Sequence, residues 1–430
     1  MKKKICCLLV IAVMMGDVLC FAGSTPEFRG VFKPELRFNA ASPFMYGESR
    51  IDLLKMEIVS HVTESAAVRI VPIVRMNTVS ASNGTVDFEY GLKEAYADLY
   101  SKKCDVRIGS QIVSWGACKE NNAVDVINPS DYRDPAKTKA DRKIGVMAVK
   151  KSLYISDFTI ETVFVPFAER TLFPSQDSAW GQKDTSALDG TDLPDARFSN
   201  SELGLRISKA ISGANLAVTY FNGQEDIPSM KAMTVGVLTV PDPSTLAFRR
   251  TQMLGIDFDG GLGKLGINTE VAFFRTQDLD KDPCLKNPYV QWILGLEYDL
   301  PLGIVAGLQY SREFESGTND GISPIPGVLD DGYTPLSGLG MDLGFFTSNA
   351  VGCGFEKKFG ESDLNAFELY AFYSIQAGEE GYMVSPALKL SHSDGVNVCV
   401  GMNIFGGAQG SRLEKYSDVS YFYTKIEYSF

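Results

Sequence analysis

Eighteen segments of this chain alternate apolar and polar side chains with a period of two, and the connections between them are alternately short and long. The segments run near 27–39, 50–61, 66–77, 88–101, 105–115, 144–152, 157–167, 199–210, 215–223, 247–258, 265–275, 289–299, 303–314, 342–357, 363–376, 382–391, 395–405 and 418–430. Successive side chains of a strand point to opposite faces, so each segment is a strand with two unlike faces. In 395–405, Val396, Val398, Val400, Met402 and Ile404 oppose Asn397, Cys399, Gly401 and Asn403. In 289–299, Trp292, Leu294, Leu296 and Tyr298 oppose Gln291, Gly295, Glu297 and Asp299, and in 105–115, Val106, Ile108 and Ile112 oppose Arg107, Gly109 and Gln111. One face suits hydrocarbon and the other water, which is the requirement of a membrane barrel.

The connections test this independently, because such barrels have short turns on the periplasmic rim and long loops outside. Connections after even-numbered strands are tight, including Thr63 to Ser65, Tyr154 to Ser156 and Ile211 to Ala214. Those after odd-numbered strands are mostly long, including 116–143, 168–198, 224–246 and 315–341. The last strand ends on Phe430, with Tyr428 and Ile426 on the same face, the terminal signature by which barrel-assembly machinery selects its clients for insertion. Pairing this strand with 27–39 closes the sheet and removes both edges. The expected fold class is all-β, a single closed antiparallel transmembrane β-barrel of about eighteen strands, sixteen being the alternative count.

At the N-terminus, Lys2, Lys3 and Lys4 precede an apolar run from Ile5 to Met15, and small residues, Cys20 and Ala22, flank a cut before Gly23. This reads as a signal peptide over 1–22, leaving a barrel over 23–430. A lipid-carrying Cys20 is the alternative, weakened by Leu19 where a small residue is wanted. Only about four residues would then precede the first strand, which leaves no N-terminal plug. The apolar run is too short to span a bilayer as a helix, and no later stretch approaches the required ~20 residues. Removing 1–22 takes away three lysines and one aspartate, so the formal net charge moves from −12 to −14, which argues against nucleic acid as a partner. Of eight cysteines, Cys104, Cys118, Cys284, Cys353 and Cys399 remain, an odd number with no C-x-x-C pair. Cys104 and Cys118 are the one pair worth testing for a bridge. With His61 and His392 the sole imidazoles, neither a metal site nor a cofactor is expected.

The run Leu92-Lys93-Glu94-Ala95-Tyr96-Ala97-Asp98-Leu99-Tyr100, followed by Val106 to Gly116, resembles two adjacent strands of a poorly characterised family of proteobacterial outer-membrane barrels. Ile127-Asn128-Pro129-Ser130-Asp131, the Glu161 to Phe167 strand with Pro166, and Asn200 to Arg206 fit in order. The likeness covers about 90–225 and implies a channel or export-associated barrel similar to the alginate-export class, with no established substrate. Ser110 stands where arginine is usual, and no aspartate follows Trp115-Gly116 among Ala117, Cys118 and Lys119, so roles tied to those charges do not carry over.

The alternation points Lys55, Glu57, Arg69, Arg75, Glu94, Asp98, Arg107, Gln111, Glu202, Arg206, Glu297, Glu368, Lys425 and Glu427 into the lumen. Such charges of both signs either set up a field that sorts polar solutes or simply pair with one another, Arg107 bridging to Glu94 or Asp98. The third long connection, 116–143, carries Lys119, Glu120, Asp125, Asp131, Arg133, Asp134, Asp141 and Arg142. It is either a constriction loop folded inward, with Asp125, Asp131, Arg133 and Asp134 facing arginines of the opposite wall, or an external cap. Ser391-His392-Ser393-Asp394 resembles a catalytic cluster but falls on a short turn, where these residues are turn formers, and no enzyme is expected.

The leading expectation is a channel in the outer membrane of a two-membrane bacterium, passing small or oligomeric hydrophilic solutes. The alternatives are a transporter of hydrophobic, fatty-acid-type ligands and an adhesin displayed on a barrel. The expected partners are outer-membrane lipid, the assembly machinery, an unknown solute, and a second copy of the chain as a homo-oligomer.

Overall fold

A computed structural model describes residues 26–40, 46–79, 85–119, 121–134, 137–174, 180, 191–235, 238–277, 288–315, 349–360, 365–375, 380–391, 395–409, 411 and 413–430. The signal-peptide reading, Glu120, Cys284, the turn at His392 to Asp394, and residues 175–179, 181–190 and 316–341 of the long connections lie outside the described residues. The strands are β1 (Glu27–Asn39), β2 (Tyr46–Thr63), β3 (Ala66–Val79), β4 (Thr85–Leu99), β5 (Cys104–Gln111), β6 (Val146–Ile155), β7 (Phe158–Val165), β8 (Glu202–Ile211) and β9 (Ala214–Gln224). There follow β10 (Ser229–Val235), β11 (Leu238–Ala247), β12 (Arg250–Leu262), β13 (Leu265–Thr276), β14 (Tyr289–Leu300) and β15 (Ile304–Glu315). The chain ends with β16 (Ala350–Phe359), β17 (Asn365–Ser374), β18 (Gly381–Ser391), β19 (Val396–Gly407) and β20 (Tyr421–Ser429).

Eighteen of these form one antiparallel sheet in which chain neighbours pair, except that β9 pairs with β12 past β10 and β11, and β1 pairs with both β2 and β20. The seam is carried to the last residue: Phe430 donates to the Gly30 carbonyl at 3.0 Å and accepts from the Gly30 amide at 2.8 Å. The sheet therefore has no edge, and its backbone groups are satisfied within the wall, as hydrocarbon demands. All eighteen expected strands are present. β5 stops at Gln111 rather than 115, because Ile112 onward turns away from the wall. The remaining pair, β10 and β11, is a separate two-stranded hairpin inside the connection 224–246, which the sequence reading treats as plain loop. The sheet pattern there is broken by Pro241 and Pro243, which hide the alternation.

Burial is inverted relative to a soluble sheet. Along β13, Glu270 and Ala272 are 0% exposed while Val271 and Phe273 are 44% exposed. Exposed aromatic side chains collect at two levels. Phe28, Phe158, Tyr298, Phe359 and Tyr428 lie toward the short-turn rim, and Phe88, Phe273, Phe314, Tyr373, Tyr382 and Phe422 toward the long-loop rim. Such girdles mark the two interfaces of a spanning barrel. The short turns reverse the chain tightly. Ser212 and Gly213 both have positive φ (41° and 86°), the mirror-type turn whose twist matches the flanking strands and which glycine adopts without strain.

The lipid face generates a test. Ile256 sits midway along β12 on the outward face and is 52% exposed. Ile256→Arg is expected to cost about 2–4 kcal/mol in unfolding from bilayer vesicles, the midplane cost of a cation on a barrel exterior. The same change at the inward-facing Asn268 should cost clearly less.

Candidate functional site: a lumenal loop anchored on two walls

The segment 112–145 leaves β5 and returns to β6 by way of the barrel interior. Its base is clamped by Asn128, whose side-chain oxygen accepts from the Val113 amide at 2.7 Å and whose amide donates to the Gln111 and Ile144 carbonyls at 3.0 and 2.7 Å. At its far reach the Asn121 carbonyl accepts from Gln309 (3.2 Å) and the Asn121 amide donates to Ser311 (3.3 Å), both on β15. β15 stands eight places round the eighteen-strand ring from β5. Contact at mid-strand there requires the loop to cross the lumen. A single turn of helix, α1 (Lys139–Arg142), capped by the Thr138 hydroxyl, lies on its return leg.

Three kinds of contact hold the loop. On one side it is apolar: Val113, Trp115, Ala123, Val124 and Ile127 pack with inward residues Val163, Val165, Phe221, Met253 and Ala272. Wall glycines make room for it. A Cβ on Gly204 would stand 2.6 Å from the Trp115 indole, and one on Gly255 would stand 2.4 Å from Val124. The second contact is Glu270, which is wholly buried on β13. Its carboxylate accepts the Ala117 (2.8 Å), Cys118 (2.7 Å), Ala123 (2.6 Å) and Val124 (3.3 Å) amides, so a turn of loop backbone wraps one wall carboxylate. Burial and Glu270 together push the Cys118 thiol up, so it stays protonated.

The third contact is ionic and faces β1–β4. Arg37 on β1 grips Asp134 with two bonds (3.1 and 2.7 Å), both side chains buried. Asp131 lies 3.9 Å from Arg75 on β3 and pairs with Arg133, which reaches Glu89 on β4 at 2.8 Å. Asp141 lies 3.5 Å from Lys33 and 3.9 Å from Lys93. Asp125 instead pairs with Lys143 and Lys139 of its own loop. The expectation that all four loop charges face arginines of the opposite wall is thus corrected. The arginines met by Asp134 and Asp131 stand on the adjacent wall, because the apolar face of the loop takes the far one.

Of the other inward residues named from sequence, Arg107 pairs with Asp98 (2.7 and 3.0 Å), not Glu94, and lies 3.9 Å over the Tyr96 ring. Glu94 accepts the Ile112 amide. Arg69 pairs with Glu57 at 3.2 Å, Glu368 with Lys389 at 2.5 Å, Glu297 with Lys119 of the loop, and Glu427 with Lys33 at 3.7 Å. Arg206 is held by Asp257 on two bonds. Gln111, Glu202 and Arg206 point inward but are shielded from the lumen water, Gln111 being fully buried. Lys55 and Lys425 lie on the open interior. Arg37, Glu270, Asp257 and Gly255 are absent from the sequence reading, and Gly204 enters it only within the family-resembling run Asn200 to Arg206. Only their inward parity marks them, and that mark is common to half the wall. Cys104 and Cys118 are free thiols, since the length of β5 separates them. Cys353 and Cys399 are also free, and no metal-binding cluster occurs among the described residues.

Burial alone would raise the loop carboxyls, but their cations outweigh it. Lys143 and Lys139 hold Asp125 below the usual range, Arg133 and Lys137 depress Asp131, and Lys33 and Lys93 bring Asp141 down to about 2. Depressed carboxyls stabilise the fold fully above the pH at which free carboxylates ionise, and lose that contribution as pH falls through the folded values. Tryptic protection of the loop lysines is therefore expected to hold from pH 7 to about 4 and to fail only near pH 2–3, as judged by acid exposure followed by cleavage after readjustment. Glu270→Gln leaves the wall intact but turns an amide donor toward the loop amides. Cleavage at Lys119 should then rise strongly at neutral pH, while barrel insertion is retained.

Over residues 80–317, more than half of its length, the chain matches the family model described as "Protein of unknown function (DUF1302)". The stretch 90–225 that carries the family resemblance lies inside that match. No curated protein matches the chain. Among solved structures it is similar to OccAB3 of Acinetobacter baumannii, with 12% identity, a TM-score of 0.53, and 94% of this chain and 98% of that one covered. It is similar also to OccK11 (OpdR) of Pseudomonas aeruginosa (10%, 0.53, 94% and 96%) and to a BenF-like porin from Pseudomonas fluorescens Pf-5 (8%, 0.53, 95% and 99%). At such identities the likeness speaks for the fold. The chain belongs to the DUF1302 family, and its fold is the eighteen-stranded closed barrel of bacterial outer-membrane porins.

Proposed function

We propose that the protein is an outer-membrane channel for small hydrophilic solutes, with the segment 112–145 as its constriction. The observation that carries this is the loop's attachment to two walls, through Asp134 and Arg37 on one side and Asn121 and Gln309 on the other. A loop held on two walls lies across the path and narrows it. The water-facing remainder of the wall, with Lys55, Glu57, Arg69, Glu297, Glu368, Lys389 and Lys425, carries both signs of charge and suits polar cargo. The fatty-acid-type reading gains less support, because the apolar interior surface of the loop is consumed by packing against the wall. Porins of known structure that share this fold support passage of solutes as the class of function.

Planar bilayers test the proposal. Stepwise conductance is expected, and deleting 117–124 should raise the step by about twofold or more, as removal of a pore obstruction does. Silent membranes with correctly folded protein would favour the adhesin reading instead.

A further inference from the structure

A second interior cluster lies at the long-loop mouth and takes no part in holding 112–145 in place except through one shared tyrosine. Trp180, from the connection between β7 and β8, is 3% exposed and sits against β16–β20, about half way round the ring from its own strands. Its indole meets Phe405 edge-on at 5.4 Å and 82°, Tyr421 at 6.4 Å and 84°, and Tyr416 at 5.7 Å and 43°. Phe372, Leu413 and Ala350 complete the surround. Phe405 lies near the end of β19 and Tyr421 begins β20, both at the outer end of the wall. The orientation of Tyr421 is set independently of the indole. Asn403 donates to its hydroxyl at 2.7 Å, and Arg37 lies 4.8 Å from its ring while gripping Asp134.

Two ring walls nearly perpendicular to the guest form a slot for a flat aromatic, since edge-to-face contact needs a planar π-system rather than a puckered ring. Phe405 and Tyr421 belong to the wall, and Tyr416 and Leu413 to the β19–β20 connection beside it, whereas the guest comes from a connection on the opposite side, so the guest is exchangeable without breaking the sheet. We propose that this slot is a binding subsite for the aromatic ring of an incoming solute, at which Trp180 stands in as an internal ligand. The proposal rests on the channel reading, because a solute reaches the slot from the outer mouth. It specifies one class within it, solutes that carry an indole or phenyl group on a polar body. The shared Tyr421 then ties occupancy of the slot to the Arg37–Asp134 anchor of the constriction.

The test uses the full-length protein, wild type, Trp180→Ala and Trp180→Ala/Phe405→Ala, with indole as probe and cyclohexanol as a non-aromatic control of similar size. Calorimetric titration in micelles should show indole binding to Trp180→Ala at least tenfold tighter than to wild type, where the native side chain competes, with cyclohexanol weak and the double variant restoring weak binding. In planar bilayers the same order should appear as transient indole block from the loop side. Indole that binds Trp180→Ala no better than the double variant or cyclohexanol overturns the slot, whatever the conductance. Tight binding in micelles with electrically silent bilayers keeps the slot and defeats the channel reading. Trp180→Phe, which keeps a ring in place, should behave as wild type, and a loss of folded protein in that variant alone would overturn the view of Trp180 as replaceable.

Discussion

Everything in this molecule depends on the seam between the first and last strands. A sheet in hydrocarbon cannot leave a row of amides and carbonyls unpaired, since each orphan group costs several kcal/mol with no water to take it. β1 answers this by pairing with β20 as well as β2, and the terminal Phe430 continues the ladder to Gly30. Closure also creates the interior. Once the ring is shut, one set of alternate side chains is committed to lipid and the other to an enclosed space, and a single-residue slip of register would exchange the two.

That interior is not an empty pipe. Its β5–β14 side is filled by a loop whose apolar residues behave like an ordinary protein core, with Val124, Ala272 and Val163 fully buried. The β1–β4 side is bridged by ion pairs that are themselves sheltered, such as Arg37 with Asp134. Sheltered pairs of this kind add little net stability compared with well-packed apolar residues, yet breaking one partner leaves a costly charge. Their consequence is positional. Together with the wall carboxylate of Glu270, they fix where the loop lies, and the loop in turn decides which wall charges meet water.

Much of the fold was readable in advance because a barrel repeats one rule along the whole chain. Val396 to Ile404 against Asn397 to Asn403, or the alternation through Trp292 and Leu294, states which face meets lipid, and the tight turn at Ser212-Gly213 states where the chain reverses. The hairpin β10–β11 escaped because its prolines interrupt the pattern. The site was less readable. Asp131, Arg133 and Asp134 stood out as charges in a long connection, but Glu270 looked like any inward glutamate, and Gly204 and Gly255 like any strand glycines. Their importance comes from loop atoms that approach from distant sequence, Ala117 to Val124 in one case and Trp115 in another.

By itself, then, the amino-acid sequence located the strands of the wall, their two faces and the parity of short and long connections, because these follow from local alternation and local turn geometry. The tertiary structure alone decided that Asp134 meets Arg37 rather than the far wall, that Gln111 and Glu202 are shielded, and that Trp180 seats among Phe405, Tyr416 and Tyr421. The Asp134 and Trp180 contacts join residues far apart in the chain. No periodicity along the chain encodes them, since they exist only after closure brings opposite walls within reach of the same loop.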